Sequence, residues 1–173
     1  MMKYKVVLFA LILSMVAASC ENVTGVKKTD FAIYTLKVTE QSLSDAAGHA
    51  VEEVPIAREP VIHIHELHSY DWNRHAMTLA PGVGKTLEGM VHPDSTNNEH
   101  PFVLMAGGER IYMGAFIPVW SSFRPDMPYI MLTSSLKDSI INLTIHGAVD
   151  RDGDVREDMR IYEALKAAGK LME

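Results

Sequence analysis

The sequence predicts an α+β domain: a mainly antiparallel β-sheet with a C-terminal α-helix, placed after an N-terminal signal peptide. Three observations carry this. Phe102-Val103-Leu104-Met105 and Ile111-Tyr112-Met113-Gly114-Ala115-Phe116 flank Ala106-Gly107-Gly108-Glu109-Arg110. Two apolar runs around adjacent glycines make a β-hairpin, because glycine accepts the positive φ of a tight turn. Other strand-like runs recur without regular βαβ alternation, which disfavours a parallel sheet. The last twenty residues carry a helical pattern with a cap and a stop.

The chain opens on Met1–Cys20, with Lys3 and Lys5, then an apolar run from Val6 to Leu13 that weakens towards Ala18, then Ala17-Ala18-Ser19-Cys20. A basic start, a short apolar stretch and small residues at a processing site describe an export signal and not a structural helix. The run is also shorter than the roughly 20 apolar residues that span a bilayer. The ending resembles a bacterial lipobox, with Ala17 where Leu is more usual, so Cys20 is the expected lipidation site and first mature residue. Cys20 is the single cysteine. An unpaired cysteine in an exported chain calls for another use than a disulfide, and a thioether to diacylglycerol is one. The expected organisation is residues 1–19 as signal peptide, 20–30 as a tether and 31–173 as one α+β domain, long enough for a core without disulfides.

Formal charge is −6, and loss of Lys3 and Lys5 would bring it to about −8. An acidic surface disfavours nucleic acid and anionic headgroups as partners. Membrane attachment is therefore expected through acyl chains on Cys20, palmitate among them, and not through a basic patch. The expected location is the cell membrane or outer membrane, with the domain outside the cytoplasm.

In order, Phe31–Val38 reads as the first strand, rich in β-branched and aromatic residues. Ser42–Val51 reads as a short helix or loop, and Glu52–Pro60 as a proline-bearing connector. Val61–His65 alternates as a strand end, Glu66–Trp72 reads as a helical turn, and His75–Leu79 as a further strand. Ala80–His100 is turn-rich, with a short helix near Lys85. After the hairpin, Pro118 and Trp120–Pro128 interrupt, and Tyr129–Leu132 and Ile140–Ile145 are two more strands. The closing helix is expected to be capped by Asp154, with Glu157 at capping-box spacing. Val155, Met159, Tyr162, Leu165 and Ala168 fall on one face, and Gly169 serves as the stop.

Several patterns bear on chemistry. His63-Ile64-His65-Glu66-Leu67-His68, followed by Asp71 and His75, offers imidazole and carboxylate groups suited to zinc or copper. An extended His63-Ile64-His65 points both imidazoles to one face; a helical segment would instead pair His65 with His68. His-Glu-Leu-His lacks the spacing of the zinc-protease motif. The candidate metal set is thus His63, His65, His68 and His75, against the plainer reading of a polar strand edge with no cofactor. Asp150-Arg151-Asp152-Gly153-Asp154 misses the calcium-loop register, since Gly153 is fourth and Ile161 twelfth. Gly84-Lys85-Thr86 lacks the opening glycine of a phosphate loop, and Ser121-Ser122 and Ser134-Ser135 lack nucleophile-elbow glycines. Tyr70, Trp72, Tyr112, Phe116 and Trp120 read as core aromatics before groove-lining ones.

Phe31-Ala32-Ile33-Tyr34, Glu59-Pro60, Ser69-Tyr70-Asp71-Trp72 with His75, Pro101-Phe102-Val103, Gly108–Phe116, Ser121-Ser122 and the ending from Asp158-Met159-Arg160-Ile161-Tyr162 to Gly169-Lys170-Leu171 together resemble a family of bacterial exported lipoproteins with no established activity. The resemblance implies no catalytic residues. It also implies that a metal site at His63 and His65, where other residue types are common, would be peculiar to this chain. The expected function is a lipid-anchored extracytoplasmic domain, non-enzymatic, binding a protein partner or small ligand. The alternatives are a zinc or copper protein using the His63–His75 cluster, and a hydrolase with an unmarked site.

Overall fold

A computed structural model describes residues 30–37, 48–90, 99–133, 136, 141–147 and 153–173. The signal segment, Cys20, most of the tether, most of Ser42–Val51, Asp150–Asp152 and Ser134-Ser135 lie outside the described residues. Nine strands form one sheet among them: β1 Phe31–Thr35, β2 Ile62–His63, β3 Leu67–Asp71, β4 Ala76–Leu79, β5 His100–Ala106, β6 Glu109–Pro118, β7 Tyr129–Leu132, β8 Ile141–His146 and β9 Leu171–Met172. Two helices, α1 Val83–Glu88 and α2 Met159–Ala167, and a 3-10 turn Val155–Glu157 complete the elements. Among the described residues no helix is long and apolar enough to cross a membrane.

The sheet order is β2-β1-β5-β6-β7-β8-β4-β3-β9. Pairing is antiparallel except for β6 with β7 and β3 with β9, so the sheet is mixed with antiparallel pairs in the majority. It is also curled. Phe31 on β1 and Tyr70 on β3 lie six places apart in the order, yet their rings meet edge-on at 6.2 Å. Phe31, Ile33, Tyr70, Met77, Phe102, Leu104, Tyr112, Phe116, Ile130 and Ile145 fill the inside of the curl with Ile161, Ala164 and Leu165 of α2. Removing this apolar surface from water is the main stabilising term, about 2–3 kcal/mol for each fully buried large side chain. The convex face is covered too. Val54, Val51 and Ile56 pack on Leu36 and Val103, and the Arg110 guanidinium holds that cover by donating to the carbonyls of Val51, Glu52 and Val54 at 2.8, 3.1 and 2.7 Å.

The β5–β6 hairpin forms as the Gly-Gly turn predicts, with Gly107 at φ 61° and Gly108 at φ 84°. Both values suit the type I′ turn, whose twist matches that of the flanking strands. The strand read at Tyr129–Leu132 and the short helix near Lys85 are present, and β1, β4 and β8 fall within about three residues of their expected bounds.

Three expectations are corrected. Glu66–Trp72 is not a helical turn, because Leu67–Asp71 is strand β3. The register of β3 on β4 slips between Leu67 and Ser69, and this bulge inserts His68 as an extra residue. Leu67 and Tyr70 therefore both face the core although three apart, a spacing that imitates a helix. The closing helix does not begin at Asp154. That carboxylate caps the separate 3-10 turn, and Asp158 caps α2 by accepting from the Arg160 amide at 2.9 Å. The restart rotates the buried face to Ile161, Ala164, Leu165 and Ala168, leaving Val155 and Met159 exposed. Finally, the chain does not end on the helix. Gly169, at φ 66°, stops α2, and Leu171–Met172 adds beside β3, Tyr70 and Trp72 donating to the carbonyls of Lys170 and Met172.

Candidate functional site

The described polar groups converge where the β3–β4 loop meets the segment leading into α2. Asp71 and Ala76 are paired, so Trp72–His75 is a four-residue loop. Asp71 Oδ1 accepts from the Arg74 amide at 3.1 Å, and His75 closes the loop at φ 48°. It is the one residue other than glycine with positive φ among the described residues, a conformation costing roughly 1–2 kcal/mol for an L-residue. Surrounding contacts hold it there. The Ile145 amide of β8 donates to the His75 carbonyl at 2.8 Å, and the ring is walled by Trp72 and Tyr70, with Tyr162 of α2 against Trp72.

His75 is the one buried polar or charged side chain outside the hydrophobic set of the described core, 7% exposed. Its Nδ1 lies 3.3 Å from the Tyr70 hydroxyl, and its Nε2 lies 3.9 Å from Asp154 Oδ2. Asp154 is gripped by Arg156: Nε reaches Oδ1 at 2.8 Å, Nη2 reaches Oδ2 at 2.5 Å, and the Arg156 amide donates to Oδ1 at 3.0 Å. Nη1 of the same guanidinium donates to the Ile145 carbonyl at 2.7 Å. Gly147 makes this possible, because a Cβ there would collide with the guanidinium. Glu157 ends the 3-10 turn on the exposed side. One ligand atom from each of His75, Asp154 and Glu157 lies within 4.8 Å of the other two.

The electrostatics follow from burial and this ion pair. Burial pushes the His75 pKa down, the Arg156 cation adds to that, and the nearby carboxylates oppose it. The Arg156 hydrogen bonds hold the Asp154 carboxyl below its usual range, and Asp154 in turn raises Arg156. Burial keeps the Tyr70 and Tyr112 phenols protonated. At neutral pH the patch is thus a neutral imidazole between the Tyr70 phenol and a carboxylate already bound to a guanidinium. Tyr112 projects from β6 into the same core, close enough to feel Tyr70, Arg156 and Asp154. Its hydroxyl is the one buried side-chain polar atom without a hydrogen-bond partner among the described residues.

The four sequence candidates are thus divided. His63 and His65 lie together at the end of β2, rings 4.7 Å apart, with the His65 amide donating to His63 Nδ1 at 3.3 Å. Glu66 turns back to the His63 amide at 2.8 Å. His68 is exposed on the β3 bulge, and His75 joins Asp154 and Glu157 instead of the other histidines. Of the aromatics, Tyr70, Tyr112 and Phe116 are buried while Trp120 is 45% exposed. Asp154, Arg156 and Glu157 lie about eighty residues from His75 in sequence. The capping-box spacing marked two of them, but for a different role. Compared with protein-family models, with curated proteins and with solved structures, the chain matches none.

Proposed function

We propose that this chain is an exported domain held at the cell membrane or outer membrane, outside the cytoplasm, by acylation of Cys20, and that it works there by binding a protein partner or small ligand. The observation that carries this reading is the Met1–Cys20 pattern of basic start, short apolar run and Ala-Ala-Ser-Cys ending. The resemblance to exported lipoproteins belongs to the same proposal. The fold is compatible with it. The first strand begins at Phe31, so Glu21–Asp30 intervene between Cys20 and the sheet, a stretch that spans at most about 35 Å when extended. Binding is favoured over catalysis because the titratable groups that converge on the loop are engaged with one another: the Tyr70 phenol faces His75, and Asp154 is taken up by Arg156. The test is labelling with palmitate in cells producing the full chain, with mass spectrometry of the mature N-terminus. Label on the wild type and none on Cys20→Ala is expected. An unacylated Cys20 in the wild type refutes the anchor.

A second reading, zinc or copper held by His63 and His65 of the His63–His75 stretch, is favoured by the contact of those two rings. Uptake of metal by the wild type, lost in His63→Ala/His65→Ala, is its expected signature.

A further inference from the structure

We propose that His75, Asp154 and Glu157 form a solvent-reachable site for one divalent transition-metal ion of the zinc type, distinct from the His63–His65 pair. The ligands come from two separated parts of the chain, the β3–β4 loop and the 3-10 turn before α2, and meet with donor atoms within 4.8 Å of one another. Donors on a tetrahedral zinc stand about 3.3 Å apart, as bond lengths near 2.0–2.1 Å require. His75 Nε2 and Asp154 Oδ2, at 3.9 Å, are within a side-chain adjustment of that. Glu157 is exposed and free to swing in, which also gives the ion its way in from solvent.

The surroundings fit a ligand set. A metal-bound imidazole keeps its other nitrogen on a hydrogen-bond partner that fixes the ring, and Tyr70 stands at His75 Nδ1. A ligating carboxylate is itself held by a donor, and Arg156 holds both oxygens of Asp154, so Oδ2, bonded to Nη2 at 2.5 Å, would meet an ion through its remaining lone pair on the imidazole side. The His75 backbone is kept in its left-handed conformation by the Ile145 bond, so the ring is positioned before any ion arrives. The unpartnered Tyr112 hydroxyl, buried beside this patch, is a polar group that the protein alone leaves unsatisfied. Such an atom calls for a further occupant such as an ordered water.

Charge decides which metal. Asp154 and Glu157 contribute two negative charges, and Arg156 cancels one. Calcium depends on six to eight oxygens and on high carboxylate charge, so this set is poor for it. Zinc gains from the imidazole and needs only four donors, three from protein and one from water. Arg156 opposes the ion as a fixed cation, which sets a modest affinity.

The test uses protein purified from cells producing the full chain, stripped with chelator and titrated with zinc chloride or cobalt chloride alone. One equivalent of zinc is expected, with a rise in melting temperature, and cobalt should give visible bands of low-symmetry four- or five-coordination. Glu157→Gln, at an exposed position, should weaken zinc at least about tenfold, His75→Asn about a hundredfold, and Tyr70→Phe about tenfold as a positioning residue. His63→Ala/His65→Ala should leave it unchanged. No uptake overturns the site, as does uptake indifferent to Glu157→Gln and His75→Asn. Uptake lost only with His63 and His65 overturns it in favour of that pair, and neither result bears on Cys20.

Discussion

Replacing Arg156 by Met keeps the length of the side chain and removes its charge from a place only 16% exposed. Three charge-assisted bonds to Asp154, at 2.8, 3.1 and 2.5 Å, and one to the Ile145 carbonyl, at 2.7 Å, are lost. Breaking a fully buried pair by deleting one partner costs about 3–5 kcal/mol, and an exposed pair is worth about 0–1. Asp154 lies between these limits. Its side chain is 18% exposed, so water can reach it, and it still accepts from the backbone amide of residue 156. The expected loss is about 2 kcal/mol, or about 4–8 °C in melting temperature for a domain of this size. Urea unfolding with an unchanged m-value is the assay. Asp154→Asn retains a good capping side chain, so a double-mutant cycle with it isolates the ion pair from the cap. A coupling below about 0.5 kcal/mol would show that the Arg156–Asp154 ion pair does not stabilise the 3-10 turn, and the account of the site's electrostatics would fall with it.

Two further outcomes follow from the packing. Gly114→Ala should destabilise by about 1–3 kcal/mol through overpacking. Its Cβ would lie 2.6 Å from the Pro128 carbonyl oxygen and against the Phe102 ring, and adding Phe102→Leu should restore only part of the loss, because the carbonyl cannot move aside like a side chain. Full rescue in denaturant melts would refute the backbone clash. His100 has its pKa lowered chiefly by burial, with a bond to the Met90 carbonyl partly opposing. The unfolded chain therefore binds a proton there more readily than the folded one. The stability this contributes is complete above the unfolded value near 6.5 and falls away as pH drops through the interval below it. His100→Gln should accordingly show a shallower loss of stability than the wild type between pH 7.5 and 5. Parallel curves would contradict the burial argument.

How much of this was legible in the letters depends on whether the controlling interaction is local. The hairpin was legible because Gly107 and Gly108 impose their φ whatever surrounds them. The stop at Gly169 and the run Tyr129–Leu132 were legible for the same reason, since period and turn chemistry act over a few residues. Strand β3 was not, because its bulge exists only against β4 and makes Leu67 and Tyr70 repeat every three residues. The helix start was half legible: Asp154 is a cap, but of a turn that Asp158 then interrupts.

For the candidate site, sequence supplied His75 and grouped it with near neighbours in the chain. Pairing β3 with β4 and β4 with β8 sends His75 the other way, to residues some eighty positions later, because curling the sheet buries apolar surface more completely than any local arrangement can. What the sequence determines on its own is the order of basic, apolar and small residues ahead of Cys20, the acidic net charge and the turns, none of which depends on long-range contacts. Only the tertiary structure decides which imidazole meets which carboxylate, because that depends on how the described strands curl around one core.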